Sequence, residues 1–277
     1  MQKLMEAIAE LNAQVRSQKP LIHHLTNYVT VNDCANIVLA IGASPIMADD
    51  IAEASDITRI SSALVLNIGT LNTRTVSSML ASGKAANESG IPVVLDPVGA
   101  GASQLRNETT QMLIGQVKLA VLRGNLSEIR FISGLASNTK GVDAAEEDMQ
   151  DGLQNSVQMA KELAQKLQCT VAITGAVDIV TDGVRVALIH NGHKKLSDIT
   201  GTGCMCSSLV GSYCGVGSDA FTAAAAGIVS MGIAGEIAYE KAAQMGNGSY
   251  HMAILDAISQ LNGEVLRKRG KIDETAG

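Results

Sequence analysis

Asp198-Ile-Thr-Gly201-Thr-Gly203-Cys204-Met-Cys-Ser-Ser-Leu-Val210 decides how this chain is read. Glycine lets a backbone approach a ligand closely because no Cβ stands in the way. The small, apolar residues that follow predict a helix over 202–215. A helix starting there aims its first free N–H groups, and the positive end of its dipole, at whatever lies in front. Such a place suits an anion, or an oxygen that is becoming one.

Outward from that turn, apolar runs predict buried strands. Ser62-Ala-Leu-Val-Leu-Asn-Ile-Gly69 is continuous and stopped by glycine, as in a sheet covered on both faces. Ile91–Asp96, Lys118–Leu122 and Thr170–Thr174 have the same character, and shorter strands are expected within 20–25 and 42–47. Helical spacing or length predicts helices at 2–17, 31–40, 51–57, 73–90, 105–115, 152–167, 219–244 and 249–267. Residues 178–183 and 184–190 read as a hairpin turning on Asp182-Gly183, and Asn191-Gly192 as a second turn. The acidic run 146–151 is expected to be a solvated face, and 267–277 a frayed end.

Strands alternating with helices imply an α/β fold with a mainly parallel sheet covered on both faces. Ligands then bind at the carboxyl ends of the strands. Asp96, Arg123, Asn125 and Thr174 each follow an apolar strand, which gathers them on one rim with the Gly201–Gly203 turn. No internal repeat or second domain is visible, so 1–277 reads as a single domain.

Composition narrows the function. Of the 277 residues, 46% are hydrophobic, only 2% are aromatic, and the net charge is −6. Single-strand nucleic-acid binders need stacking aromatics and a basic groove, so nucleic acid is discounted. No uncharged run reaches the roughly 18 to 20 residues of a membrane span. The Ala-rich stretch near 223–235 comes closest and reads as a buried helix. The N-terminal run reads as an amphipathic helix, not a signal peptide. Five cysteines with neither disulfide nor zinc spacing point to a reduced, cytoplasmic setting.

The common nucleotide motifs are missing: there is no G-x-x-x-x-G-K-[ST] and no complete G-x-G-x-x-G. What the rim holds suits phosphoryl transfer, which depends on positioning and charge neutralisation. Asp96 and Glu128 can hold magnesium through waters, and Arg123 can clamp a phosphate. The amides of Gly201, Thr202 and Gly203 can stabilise charge on the transferred group. Plainer roles compete: Asp96-Pro97 as a turn starter, Glu128 as a helix cap, Met47 as core, and His23 and His24 as structural residues.

Several stretches together resemble a family. They are Leu25-Thr-Asn27-Tyr-Val29, Ser44-Pro-Ile-Met47, Leu95-Asp96-Pro97-Val-Gly-Ala, Arg123-Gly-Asn125-Leu-Ser-Glu128, Ile173-Thr174-Gly175 and Asp198-Ile-Thr-Gly-Thr-Gly203-Cys204. In content and order the chain resembles the hydroxyethylthiazole kinases of the ribokinase-like superfamily. The resemblance implies a three-layer α/β/α fold and ATP-dependent phosphorylation of 4-methyl-5-(2-hydroxyethyl)thiazole in thiamine biosynthesis or salvage. It also implies magnesium and a homotrimer with active sites between subunits. Carried over by residue, Arg123, Thr174, Asn125 and Gly203 would bind ATP, and Asp96 and Glu128 the metal. Met47, Gly201, Asn27 and Val29 would line the alcohol site, with the hydroxyl beside Cys204. The wider superfamily usually has Asp at the Cys204 position. Rival readings are a kinase of a hydroxymethylpyrimidine, a dehydratase of hydrated nicotinamide cofactors, and a non-catalytic nucleotide-binding module.

Overall fold

The computed structural model describes residues 2–137 and 149–276. The chain begins α1 (Gln2–Gln18), β1 (Leu21–Leu25), α2 (Val31–Ile41), β2 (Ser44–Ile46), α3 (Ala54–Arg59) and β3 (Ala63–Asn67). It continues α4 (Thr73–Glu88), β4 (Val93–Asp96), α5 (Gln104–Gln116), β5 (Val121–Asn125), α6 (Leu126–Ser137) and α7 (Met149–Leu167). Then come β6 (Thr170–Thr174), β7 (Asp178–Thr181), β8 (Arg185–Ile189) and α8 (Thr202–Cys214). The chain closes with α9 (Ala220–Ala242), α10 (Asn247–Gln260), α11 (Gly263–Arg269) and β9 (Ile272–Ala276).

All these strands join one sheet in the order β2-β1-β3-β4-β5-β6-β7-β8-β9. Pairing is parallel through β6 and antiparallel from β6 to β9. Successive side chains in a strand point to opposite faces, and β3 shows the result. Its Ala63 and Val65 enter a core with α1, α2, α8, α9 and α10, whereas Leu64 and Leu66 enter a second core with α4 to α7. This is the three-layer, mostly parallel arrangement expected for a ribokinase-like fold.

α9 is long and apolar enough to span a membrane, but 83% of its most apolar window is buried in the protein. It therefore acts as a core helix. Small residues make this possible, because α8 and α9 pack at backbone distance.

Several boundaries differ from those expected. The strand expected at 118–122 begins at Val121, so Arg123 and Asn125 lie within β5 instead of after it. α3 starts three residues later than expected, at Ala54. The helix α6 was foreseen only as the helix for Glu128 to cap, without bounds. The segment expected as one helix over 249–267 is two, because Asn262 caps α11 by accepting the Val265 N–H at 3.0 Å. The C-terminal residues expected to fray instead form β9, paired with β8 from Ile272 to Ala276. The second turn expected at Asn191-Gly192 is not formed; the two residues lie in an irregular stretch after β8. Asn191 is buried and donates to Glu236 and the Arg269 carbonyl while accepting the Lys271 N–H. Residues 146–148 of the acidic run 146–151 lie outside the described residues.

His23 and His24 are both buried in β1, in structural settings. His23 bonds Thr58 Oγ1 and the Ala48 carbonyl, each at 2.9 Å. His24 Nδ1 bonds the Ile22 carbonyl at 3.1 Å, and its Nε2 has no partner. Burial pushes the His24 imidazole down to about 4. The folded state thus refuses a proton that the unfolded chain accepts from about pH 6.5 downward. Stability is full above that pH and falls as pH drops toward 4, by on the order of 3 kcal/mol from His24. Denaturant unfolding at pH 7.5 and 4.5 should show a smaller acid loss in His24→Leu than in the wild type. Equal losses would mean that His24 is not the acid-sensitive group.

Candidate active site

The carboxyl ends of five neighbouring strands bring their polar residues into one line, joined by hydrogen bonds and by the Asp96–Arg123 ion pair. Asn67 ends β3, Asp96 ends β4, Arg123 lies in β5 and Thr174 ends β6, while Asn27 follows β1. Parallel register sets Asn67 beside Asp96 and Asn125 beside Thr174. Asn67 Nδ2 donates to Asp96 Oδ2 at 3.0 Å, and Ser207 Oγ donates to the same oxygen at 2.7 Å. Arg123 Nη1 lies 3.6 Å from that oxygen and donates to the Gly203 carbonyl at 3.2 Å. Its Nη2 donates to Thr174 Oγ1 at 2.7 Å.

The glycine turn sits over the middle of this line. Gly201 is the residue before α8, with φ +87, and no side chain caps the first turn. A Cβ at Gly201 would lie 2.7 Å from Thr30 Cγ2, so glycine is required twice over. The opening N–H groups of α8 are therefore left for a ligand, and they favour negative charge.

A cavity of about 610 Å³ opens on one side of this turn. Arg123, Thr174 and Gly203 line it together with Asp178, His193 and Met231. The volume suits a nucleotide-sized ligand. Arg123 Nε is buried and has no partner, so the site offers an unused cationic donor. Burial pushes the Asp178 carboxyl up to about 6, against the pull of the Gly175 N–H and Arg123.

On the other side lies the second group of expected residues. The Cys204 sulfur receives N–H bonds from Asn27 and Asn67, both at 3.2 Å. Asn27 Oδ1 accepts from the Thr30 hydroxyl at 3.0 Å, and Thr30 is the residue against which Gly201 packs. Asn27, Gly201 and Cys204 thus form one cluster. Val29 is 56% exposed in the loop after β1, and Met47 is half-buried just after β2. Neither lines the cavity.

Asp96 and Glu128 supply the acidic side. Burial pushes the Asp96 carboxyl up to about 6, against the nearby Arg123 guanidinium and the Ser207 hydroxyl. Glu128 and Asn125 cap α6 reciprocally: Glu128 N donates to Asn125 Oδ1 at 2.9 Å, and Asn125 N donates to Glu128 Oε2 at 2.8 Å. Glu128 Oε1 accepts the Gly99 N–H at 2.8 Å. The capping role therefore exists, and it leaves each oxygen a further lone pair. Asp96 Oδ1 is buried with no partner. No cluster of three or more His, Cys, Asp or Glu occurs among the described residues. This donor set fits a hydrated magnesium ion held partly through water, not a cage made only of protein.

Sequence reasoning missed Asn67, Ser207, Asp178 and Arg106. Asn67 was accessible to the rule that found Asp96, since it too ends an apolar run. Arg106 donates to the carbonyls of Ile68 and Gly69, at 2.7 Å each, and to that of Val98. It ties the loops after β3 and β4 together, a role that no local pattern announces.

Fold and site together define a ribokinase-like α/β protein, with an uncapped helix N-terminus between a nucleotide-sized cavity and a cysteine-centred cluster. The model of the Hydroxyethylthiazole kinase family matches residues 12–264. The chain belongs to that family. A hydroxyethylthiazole kinase of Clostridium beijerinckii is 64% identical over 96% of this chain and 97% of its own. One of Ruminiclostridium cellulolyticum is 60% identical over 99% and 100%. The solved structure of a hydroxyethylthiazole kinase protein from Pyrococcus horikoshii is 37% identical and has a TM-score of 0.88, covering 98% of this chain and 99% of that one.

Proposed function

We propose that this protein transfers the γ-phosphoryl group of ATP to the primary hydroxyl of 4-methyl-5-(2-hydroxyethyl)thiazole, in thiamine biosynthesis or salvage. The observation that carries the reading is the position of the uncapped α8 N-terminus. It lies between the cavity lined by Arg123, Thr174 and Gly203 and the cluster of Asn27, Gly201 and Cys204. Family membership over residues 12–264 supports the same chemistry.

In this reading ATP occupies the cavity. Arg123 neutralises phosphate charge, Thr174 and Asn125 contribute hydrogen bonds, and the amides of Gly203 and its neighbours take the charge on the moving group. Magnesium, when bound by Asp96 and Glu128 through water, supplies further neutralisation of the phosphates. Cys204 meets the hydroxyl, while Asn27, Val29, Met47 and Gly201 border the ring. Tyr28, Val29 and Ile51 are 79%, 56% and 51% exposed on the loops after β1 and β2. Those loops belong to neighbouring strands, so a second subunit could cover the alcohol site there, in keeping with a homotrimer. All five cysteines are free thiols, which suits a cytoplasmic setting.

The hydroxyl needs positioning more than deprotonation, because the transition state is loose. Cys204→Asp should therefore keep or increase turnover, since a carboxylate there still accepts from Asn27 and Asn67 and can also take a proton. Loss of turnover in a folded, substrate-binding Cys204→Asp protein would assign a role specific to sulfur.

The deciding experiment is mass spectrometry of products from Mg-ATP with the thiazole alcohol, with a hydroxymethylpyrimidine, and with no acceptor. A phosphate ester of the thiazole alone is expected. An ester of the pyrimidine alone would move the substrate assignment, and no ester with either would overturn the proposal.

A further inference from the structure

The two asparagines at Cys204 can be oriented unambiguously. Gly69 N donates to Asn67 Oδ1 at 2.9 Å, and Thr30 N donates to Asn27 Oδ1 at 3.1 Å. A backbone N–H can only donate, so these contacts identify the oxygen of each carboxamide and hence its nitrogen. Asn27 Nδ2 then gives one hydrogen to Asn67 Oδ1 at 3.0 Å and the other to Cys204 Sγ at 3.2 Å. Asn67 Nδ2 gives one to Asp96 Oδ2 at 3.0 Å and the other to Cys204 Sγ at 3.2 Å. Every amide hydrogen is accounted for. Both asparagines are buried, so water does not compete for these donors.

A neutral thiol has two lone pairs and one hydrogen. Here both lone pairs are taken by N–H donors. We propose that Asn67, together with Asn27, is a positioning residue that holds Cys204 as a double acceptor, leaving only its S–H for the substrate alcohol. The proposal rests on the phosphotransferase reading and assigns the polarity of its central contact. Cys204 donates to the hydroxyl oxygen through one oxygen lone pair. The other lone pair forms the bond to the γ-phosphorus. The bond from that phosphorus to the bridging oxygen breaks, and its electron pair leaves with ADP. The alcohol's proton passes to a phosphoryl oxygen as the ester forms.

Asn67 also links the two halves of the site, since its amide nitrogen touches both Asp96 and Cys204. Displacing it should move the hydroxyl relative to the phosphates without disturbing the cavity that holds the nucleotide.

The test combines kinetics with a readout that needs no turnover. Asn67→Leu should lower kcat roughly 100-fold, the scale of a small misplacement of reacting groups, while the KM for ATP stays near wild type. In a Cys204→Ala background the same change should add little. Equal losses in the two backgrounds, or a loss confined to the KM for ATP, would overturn the proposal. In the wild type and Cys204→Ala, both folded, the side-chain amide protons of Asn27 and Asn67 are followed by NMR. Both pairs should shift when the sulfur is removed, and unshifted resonances would equally overturn the clamp. The NMR arm stands even if the wild type forms no thiazole ester, a result that would sink the phosphotransferase reading instead.

Discussion

Replacing Arg123 with Met is expected to lower kcat/KM for phosphoryl transfer about 1,000-fold or more, the range seen when an arginine that stabilises transferring phosphate is lost. Three observations set the size of the effect. Arg123 lines the cavity, as Lys194 also does, and its buried Nε has no partner, so it offers phosphate a cation beside the α8 N-terminus. Its Nη1 holds the Gly203 carbonyl in the first turn of α8, and its Nη2 holds Thr174. Its charge opposes the burial that pushes Asp96 up to about 6. Without it Asp96 rises further and becomes protonated near neutral pH. That protonation relieves part of the cost of breaking a buried pair, roughly 3–5 kcal/mol when the partner charge stays. Arg123→Met should therefore fold with reduced stability but lose nucleotide affinity. Arg123→Lys keeps the charge, but a point cation cannot reach Gly203, Thr174 and phosphate at once. Its activity should fall between the two. Steady-state kinetics with calorimetric ATP binding checks both, and an Arg123→Met enzyme within tenfold of wild type would remove Arg123 from the phosphate site.

What was legible in the sequence follows from where the information is local. Ser62–Gly69 and Thr170–Thr174 are continuous apolar runs closed by glycine, and both are buried interior strands of the sheet. The Asp198–Val210 stretch carries its turn and helix within itself, and Gly201 does have a positive φ. The rim residues were found because one rule, polar residues at strand ends, applies to all of them. β5 was placed three residues early because Lys118-Leu-Ala looks like a strand, whereas its pairing with β6 starts at Val121. β9 was invisible because Ile272-Asp-Glu-Thr-Ala has no apolar alternation of its own. It is a strand only because β8 offers an open edge. Asn191 was misread for the same reason: its three partners are Glu236 of α9, Arg269 at the end of α11 and Lys271, all distant in sequence. The β7–β8 hairpin was legible from its Asp182-Gly183 turn and is formed as expected, but nothing local announced that it walls the cavity from Asp178 to His193.

The packing beneath α8 gives the largest expected effect on stability. Gly227→Ala in α9 should destabilise the protein by about 3 kcal/mol or more, at the upper end for overpacking a well-filled core. A Cβ at 227 would lie 2.7 Å from Val210 N and 2.8 Å from Val210 Cα. Those are backbone atoms of α8, so no side chain can swing aside. Relief requires α8 and α9 to separate, and α8 also carries the Gly201–Cys204 turn, with a Cβ at Gly211 only 2.4 Å from Val65 Cγ2 on the sheet side. α8 is thus held between the sheet and α9 without slack, and moving it disturbs the N–H groups at its N-terminus. Gly248→Ala in α10 is the control, because a Cβ there meets nothing within 4 Å. Both changes exchange glycine for a better helix former, a gain of roughly 1 kcal/mol in the interior of α9 and less in the first turn of α10. Propensity therefore favours Gly227→Ala, and any excess destabilisation there reports packing. Denaturant unfolding should find Gly248→Ala neutral or stabilised and Gly227→Ala strongly destabilised, with lowered turnover in the surviving folded protein. Equal stabilities would mean that the two helices can part at little cost, and that the fixed placement of the α8 N-terminus comes from elsewhere in the fold.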